Sequence, residues 1–223
     1  MNAIIDCVTP VALLDVVERI GPGFEQGTDH RLKLSVMLNP EVPAFIKSGA
    51  NWSLAASNPW HLEEIPANAR GPIHSLGRSP LAFGVLGEGG TPVCDEAGIS
   101  DVLLRSKRIG VTGAGTSGGT FVRLLDRLRI KDKVKDRIKP LRGGEPMRQL
   151  LAGQVDLAVL PLTNIAPIRG VRPIAVCPWD IDVHIDLALC CHANASAEAH
   201  AFADWLLSND RDETLAALGL MRL

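Results

Sequence analysis

Two stretches of this chain carry residue types at spacings that can do chemistry. The first is RIGVTGAGTSGGTFVRLLDRLR, Arg108 to Arg129. A short apolar strand runs into Gly113-Ala114-Gly115-Thr116-Ser117-Gly118-Gly119, and a helix follows with Phe121, Leu124, Leu125 and Leu128 on one face. Thr116 or Ser117 can cap that helix, and the glycines let a ligand approach the backbone closely. The leading N–H groups of a helix have no acceptor within it and lie at the positive end of its dipole. Such a turn is ready to receive a small carboxylate or oxyanion. No Gly-Lys-Ser/Thr closes the loop, so it is not a P-loop, and its glycine spacing does not fit a dinucleotide fingerprint. A glycine-rich turn without a ligand accounts for the same residues equally well.

The second stretch is Asp182-Val183-His184-Ile185-Asp186. Residues two apart on a strand share a face, so both aspartates and the histidine would project together. That set suits a divalent ion, or a proton-moving pair built from His184 and Asp186. A polar strand entrance, with His184 bonded to a neighbour, is the plainer account. Arg70 and Arg78 bracket GPIHSLG, where an arginine can clamp a carboxylate bidentately. Arg142-Gly143-Gly144-Glu145 follows a strand and reads as an ordinary turn or a pocket wall. Trp60, just after Asn58-Pro59, reads as packed beneath its loop or walling a pocket.

Strand and helix signals alternate along almost the whole chain. Strands are expected at 3–8, 31–38, 52–57, 80–86, 109–111, 138–141, 155–160, 172–176 and 185–191. Helices are expected after Thr9-Pro10 (Leu13, Val16, Val17, Ile20 and Phe24 inward), at 43–48, after Gly119, and around Met147, Leu150 and Leu151. Two more should lie at 197–207, burying Ala199, Phe202, Ala203 and Leu206, and at 212–218. GEGGTPVCDEAG reads as a loop and Ser57-Asn58-Pro59 as a turn. The alternation implies an α/β protein with mostly parallel sheets flanked by helices.

Composition narrows the partners. The 223 residues suffice for one large domain or two small ones, and a net charge of −2 with mixed signs argues against nucleic acid. No apolar run approaches the ~20 residues of a membrane span, so no membrane insertion is expected. The start, MNAIIDCVTPVALLDVVERI, reads as strand, turn and helix rather than a leader. The chain as written is expected to be cytoplasmic, or periplasmic if a leader has been removed. Five cysteines without a CxxC pair point to reduced, mostly buried thiols. No motif requires a cofactor or a metal.

The order of segments resembles the type II periplasmic solute-binding proteins, in their molybdate-binding-like branch. The segments that carry the resemblance are FEQGTDHRLKLSV, WSLAASNPWHLEEI, RSPLAFGVL, GTSGGTFVRLLDRLRIKDKVKDRI, LLAGQVDLAVLPLTNI and HANASAEAHAFADWLLSNDRDETLAALGL. Together they span nearly the whole chain. The resemblance implies a two-lobed fold with the ligand cleft between lobes. Lobe 1 would comprise residues 1–80 plus 178–223, and lobe 2 residues 81–177. It implies ligand contacts at Thr9, Ser57, Asn58, Arg78, Thr116, Ser117, Gly118, Gly119, Thr163 and Asp186. Ala55 stands where molybdate binders have a serine, and Asp186 near where they have a tyrosine. Losing a hydroxyl and gaining a carboxylate disfavours a tetrahedral dianion.

The expectation is therefore a monomeric solute-binding protein that captures a small organic carboxylate and presents it to an ABC transporter permease. Molybdate or another oxyanion is the lesser ligand. An alternative on the same fold is a cofactor-free isomerase of unsaturated di- or tricarboxylic acids such as aconitate, with His184 and Asp186 as catalytic candidates. A second alternative is a cytoplasmic ligand sensor.

Overall fold

The computed structural model describes residues 3–222. Among the described residues nine strands are interspersed with helices. In chain order they are β1 (Ile4–Pro10), α1 (Val11–Thr28), β2 (Arg31–Met37), α2 (Val42–Lys47), β3 (Leu54–Ser57), α3 (Pro59–Glu63) and β4 (His74–Leu86). There follow α4 (Glu96–Arg105), β5 (Ile109–Thr112), α5 (Thr116–Leu128), α6 (Lys131–Val134), β6 (Ile138–Leu141), α7 (Glu145–Leu151) and β7 (Leu157–Pro161). The chain ends with β8 (Val171–Val176), β9 (His184–Cys191), α8 (Ala197–Leu207) and α9 (Asp212–Ala217).

The chain divides into two compact units. One holds Met1–Arg78, Asp186–Ala217 and Met221–Leu223; the other holds Ser79–Ile185 and Leu218–Leu220. Two crossings thus fall within β4, after Arg78, and within β9, after Ile185, and the chain passes into the second unit once more for Leu218–Leu220. The sequence placed them near residues 80 and 178.

In the first unit the strand order is β2-β1-β3-β9. β1 lies parallel to β2 on one side and to β3 on the other, while β9 runs antiparallel to β3. Val8, Ala55, Ala188 and Cys190 form one core with Val42 and Leu62. α1 turns Leu13, Val16, Val17, Ile20 and Phe24 inward, as its 3–4 residue spacing predicts.

In the second unit the order is β4-β7-β5-β6, and β8 pairs with β4. β5 lies parallel to β6 and to β7, and β4 runs antiparallel to β7. Phe83 and Phe121 meet edge-on in its core, with centroids 6.5 Å apart. Each unit therefore has a central parallel strand, β1 or β5, whose next strand lies on one side and a later one on the other. Crevices outside the carboxyl end of such a switch-point strand are where α/β sheets bind ligands.

Several local expectations are revised. The segment read as a loop, GEGGTPVCDEAG, runs into α4, because the Asp95 carboxylate accepts from the Gly98 N–H at 2.8 Å and so caps a helix burying Ile99 and Leu103. Gly98, which suggested a loop, makes room for Val93: a Cβ there would lie 3.0 Å from that side chain. Asn58-Pro59 does more than turn the chain, since Pro59 starts the one-turn helix α3. Leu151 is exposed, so α7 buries Pro146, Met147 and Leu150. No described helix is long and apolar enough to cross a membrane.

All five cysteines are free thiols, and only Cys94 is exposed. Burial pushes the Cys7, Cys177 and Cys190 thiols up to about 12 and Cys191 to about 11. At pH 8 the folded protein should release one fast equivalent from a disulfide reagent such as Ellman's, and five in denaturant. A second fast thiol would contradict the burial of the DLALCC strand.

Candidate functional site

The loops at the carboxyl ends of the parallel strands carry most of the candidate residues. In the first unit the strands β1, β2 and β3 share one direction, so Thr9-Pro10, Asn39-Pro40 and Asn58-Pro59 all fall at one end of the sheet. β9 begins at that same end, because Ser57 lies opposite Ala188. Proline suits these corners: each of the three sits at or beside a helix start, where no N–H is needed.

The polar groups there fall into two kinds. Thr9, Ser57 and Asn58 are buried. The Ser57 hydroxyl donates to the Asn39 carbonyl and lies equally near the Asn39 Oδ1, both at 3.1 Å, so it ties β3 to the end of β2. Asn58 Nδ2 donates to the Asp186 carbonyl at 2.5 Å and holds the start of β9. Arg78 and Asp186 are more open, with side chains 36% and 31% accessible. Arg78 Nε donates to Asp186 Oδ1 at 2.6 Å, a charge-assisted bond between the first unit's last residue before one crossing and its first after the other. The two Nη groups of Arg78 make no hydrogen bond to any described residue. A guanidinium held by Nε keeps its outer edge for a second planar anion.

In the second unit, the ends of β5, β6 and β7 lead into Gly113–Gly119, Arg142–Glu145 and Leu162–Asn164. The helix after the glycine loop forms as expected, and Phe121, Leu124 and Leu125 are buried. Its cap differs: Gly115 is the N-cap and no side chain caps the helix, so Thr116 is already helical. The first bond of the ladder is Gly119 N–H to the Gly115 carbonyl at 3.2 Å, which leaves Ser117 and Gly118 ahead of it. Gly118 has a packing role in addition to its place in the loop. A Cβ there would collide with the Thr112 carbonyl oxygen, so this glycine lets α5 pack onto its own strand. At Gly119 nothing lies within 4 Å of such a Cβ, so that position is open. Gly118 also borders a cavity of about 340 Å³ walled by Phe121, Val122 and Pro140.

Thr163 is fully buried; its N–H donates to the Ser79 hydroxyl at 3.1 Å, which joins the β7 loop to β4. Arg142 is exposed, and its N–H donates to Glu145 at 3.0 Å in an ordinary helix-start turn. Arg70 spends its guanidinium on the Ile65 and Gly71 carbonyls. Trp60 is 46% exposed, so it does not pack beneath its loop.

Of the Asp182/His184/Asp186 set, His184 and Asp186 lie two apart on β9 and share a face, while Asp182 precedes the strand. Asp182 takes a left-handed conformation (φ 55°) ahead of β9, and its side chain is 92% accessible. It lies 3.5 Å from His184 Nε2, whose ring sits 6.0 Å from that of Trp179. Asp186 pairs with Arg78. Among the described residues no group of three or more His, Cys, Asp or Glu side chains is placed to hold a metal ion.

Sequence reasoning missed Asn39 and Ser79. Asn39 had a usable signal, for its Asn-Pro pair repeats the Asn58-Pro59 corner one strand away. Ser79 had none, because its role depends on a contact 84 positions along the chain.

Comparison with known proteins bears on this geometry. The sequence pattern of the bacterial extracellular solute-binding protein family matches residues 6–220. No curated protein sequence matches the chain. Among solved structures, the periplasmic molybdate-binding protein of Azotobacter vinelandii superposes with a TM-score of 0.81 at 18% identity, covering 98% of this chain and 99% of that one. The sulfate-binding protein SubI of Mycobacterium tuberculosis gives 0.70 at 14% identity, over 98% and 86%. PEB3 of Campylobacter jejuni, in its L-phospholactate-bound form, gives 0.69 at 15% identity, over 98% and 100%. At these identities the likeness establishes the fold.

Proposed function

Since the chain belongs to the bacterial extracellular solute-binding protein family, we propose that it captures a small organic carboxylate and hands it to an ABC-type permease. In that role it works as a monomer on the outer side of the cytoplasmic membrane. The observation that carries the choice of ligand is Arg78. Its Nε is engaged by Asp186 and its two Nη groups face no described partner, at the end of the sheet where Thr9, Asn39 and Asn58 also lie. A planar fork fits a planar carboxylate better than a tetrahedral dianion. In the second unit the start of α5, where the Ser117 and Gly118 N–H groups precede the first ladder bond and the Gly119 Cα is uncrowded, supplies donors for an anion. Relatives of this fold bind molybdate, sulfate and, in PEB3, L-phospholactate, which itself bears a carboxylate.

The test is a thermal-shift screen against oxyanions and mono-, di- and tricarboxylates, with each stabilising acid then followed by proton NMR in deuterated water. A ligand present at 100 times its Kd adds about 2.7 kcal/mol. At this chain length that corresponds to roughly 5–11 °C. Stabilisation by a carboxylate that stays chemically unchanged supports the proposal. Stabilisation by molybdate or sulfate alone overturns the carboxylate reading, and deuterium entering the ligand overturns a purely binding role in favour of the isomerase.

A further inference from the structure

We infer that Asp186 is a positioning and charge-setting residue: it fixes the Arg78 fork and cancels its charge, so that the site selects monoanionic carboxylates over dianions. The inference rests on the carboxylate reading above and specifies the class of acid.

Three observations carry it. The Arg78 Nε to Asp186 Oδ1 bond of 2.6 Å is short and charge-assisted, so the guanidinium is held by one edge while its Nη groups remain without a described partner. Asp186 is itself anchored through its backbone, since its carbonyl accepts from the buried Asn58 Nδ2 at 2.5 Å. The carboxylate is therefore placed by the main chain, and it places the arginine. Lastly, the pair has no net charge. The neighbouring first turns of α1 and α3 carry no acidic residue, and Asp186 is the carboxylate in direct contact with the Arg78 fork.

The consequence is electrostatic. A ligand carboxylate on the Nη edge gains the fork's hydrogen bonds whether the ligand carries one charge or two. Any further negative charge meets a neutral pair with an aspartate in it, so it gains nothing from Arg78 and is repelled by Asp186. Sulfate and molybdate are fully ionised at neutral pH and carry both charges on one centre. Both groups of the pair are about one-third accessible, which screens this discrimination without removing it.

The experiment uses the whole protein and measures calorimetric affinities for lactate (one charge), malonate (two charges) and sulfate in low-salt buffer at pH 7.5. Wild type should prefer lactate. Asp186→Asn keeps the side chain's size and the backbone bond to Asn58, and should raise the malonate-to-lactate and sulfate-to-lactate affinity ratios by about tenfold or more. The shift should shrink in 0.5 M salt, and Asp186→Glu should restore the wild-type ratio. A purely structural role would change all affinities together and leave the ratios alone. Carboxylate binding by wild type with ratios unchanged within twofold in Asp186→Asn overturns this inference and leaves the carboxylate reading standing. Preference of wild type for malonate or sulfate over lactate also overturns it. If wild type binds none of the three, the carboxylate reading fails on these acids. Appearance of sulfate binding in Asp186→Asn would then support the charge-setting role on its own, and its absence would overturn it.

Discussion

Replacing Arg78 with alanine is expected to weaken capture of the preferred carboxylate by at least about 100-fold, with little change in melting temperature. Two charge-assisted hydrogen bonds from the Nη edge contribute about 1.5–3 kcal/mol each, so their loss alone amounts to some two to four decades in Kd. The substitution also leaves Asp186 as a partly sheltered carboxylate facing the anion, which adds repulsion. Stability should change little, because the Arg78 backbone still exchanges both hydrogen bonds with Met221, at 2.7 and 2.8 Å. Arg78→Lys retains the charge and loses the planar fork, so it should fall between the two. Isothermal titration with the acid found by thermal shift decides the matter. An alanine variant that binds within twofold of wild type removes Arg78 from the site.

The second large effect concerns folding. Gly118→Ala should cost about 3–5 kcal/mol, at the upper end of single substitutions. At the size of this chain that is roughly 6–20 °C in melting temperature, and the protein is expected to accumulate poorly. Alanine is ordinarily the better helix former by about 1 kcal/mol, so propensity alone predicts the opposite sign. The geometry decides: the added Cβ would drive into the Thr112 carbonyl oxygen, a main-chain atom that cannot rotate away. Gly119→Ala, one residue on, meets nothing within 4 Å and should be neutral or slightly stabilising. Thermal denaturation of the two variants side by side separates these accounts, and equal melting temperatures would refute the packing role of Gly118.

That contrast shows what the sequence discloses. The period of Phe121, Leu124 and Leu125 identifies the buried face of α5 without a structure, and the same holds for Ala199, Phe202, Ala203 and Leu206 in α8. The strand–helix alternation likewise discloses the fold class, because each signal is local. The adjoining glycines look alike in the sequence but differ in what stands opposite them, which only tertiary contacts decide. In the Asp182-Val183-His184-Ile185-Asp186 stretch the placement of Asp182 is hidden for a related reason. Alternation presumes an extended backbone throughout, and the left-handed turn at Asp182 interrupts it. Ser57 and Thr163 read as ligand hydroxyl groups by position; both are buried, the Ser57 hydroxyl bonds Asn39, and the Thr163 backbone N–H bonds the Ser79 hydroxyl, contacts that no local signal discloses.

The proline that closes each of the three strand ends, Thr9-Pro10, Asn39-Pro40 and Asn58-Pro59, also bears on how quickly a solute is taken up. A pyrrolidine ring presets one backbone torsion, so these corners hold their shape before any solute arrives. Recognition then forfeits little loop entropy, and encounter need not wait for a local rearrangement. Association rates of different acids should accordingly lie close together, and their affinities should separate through how long each remains bound.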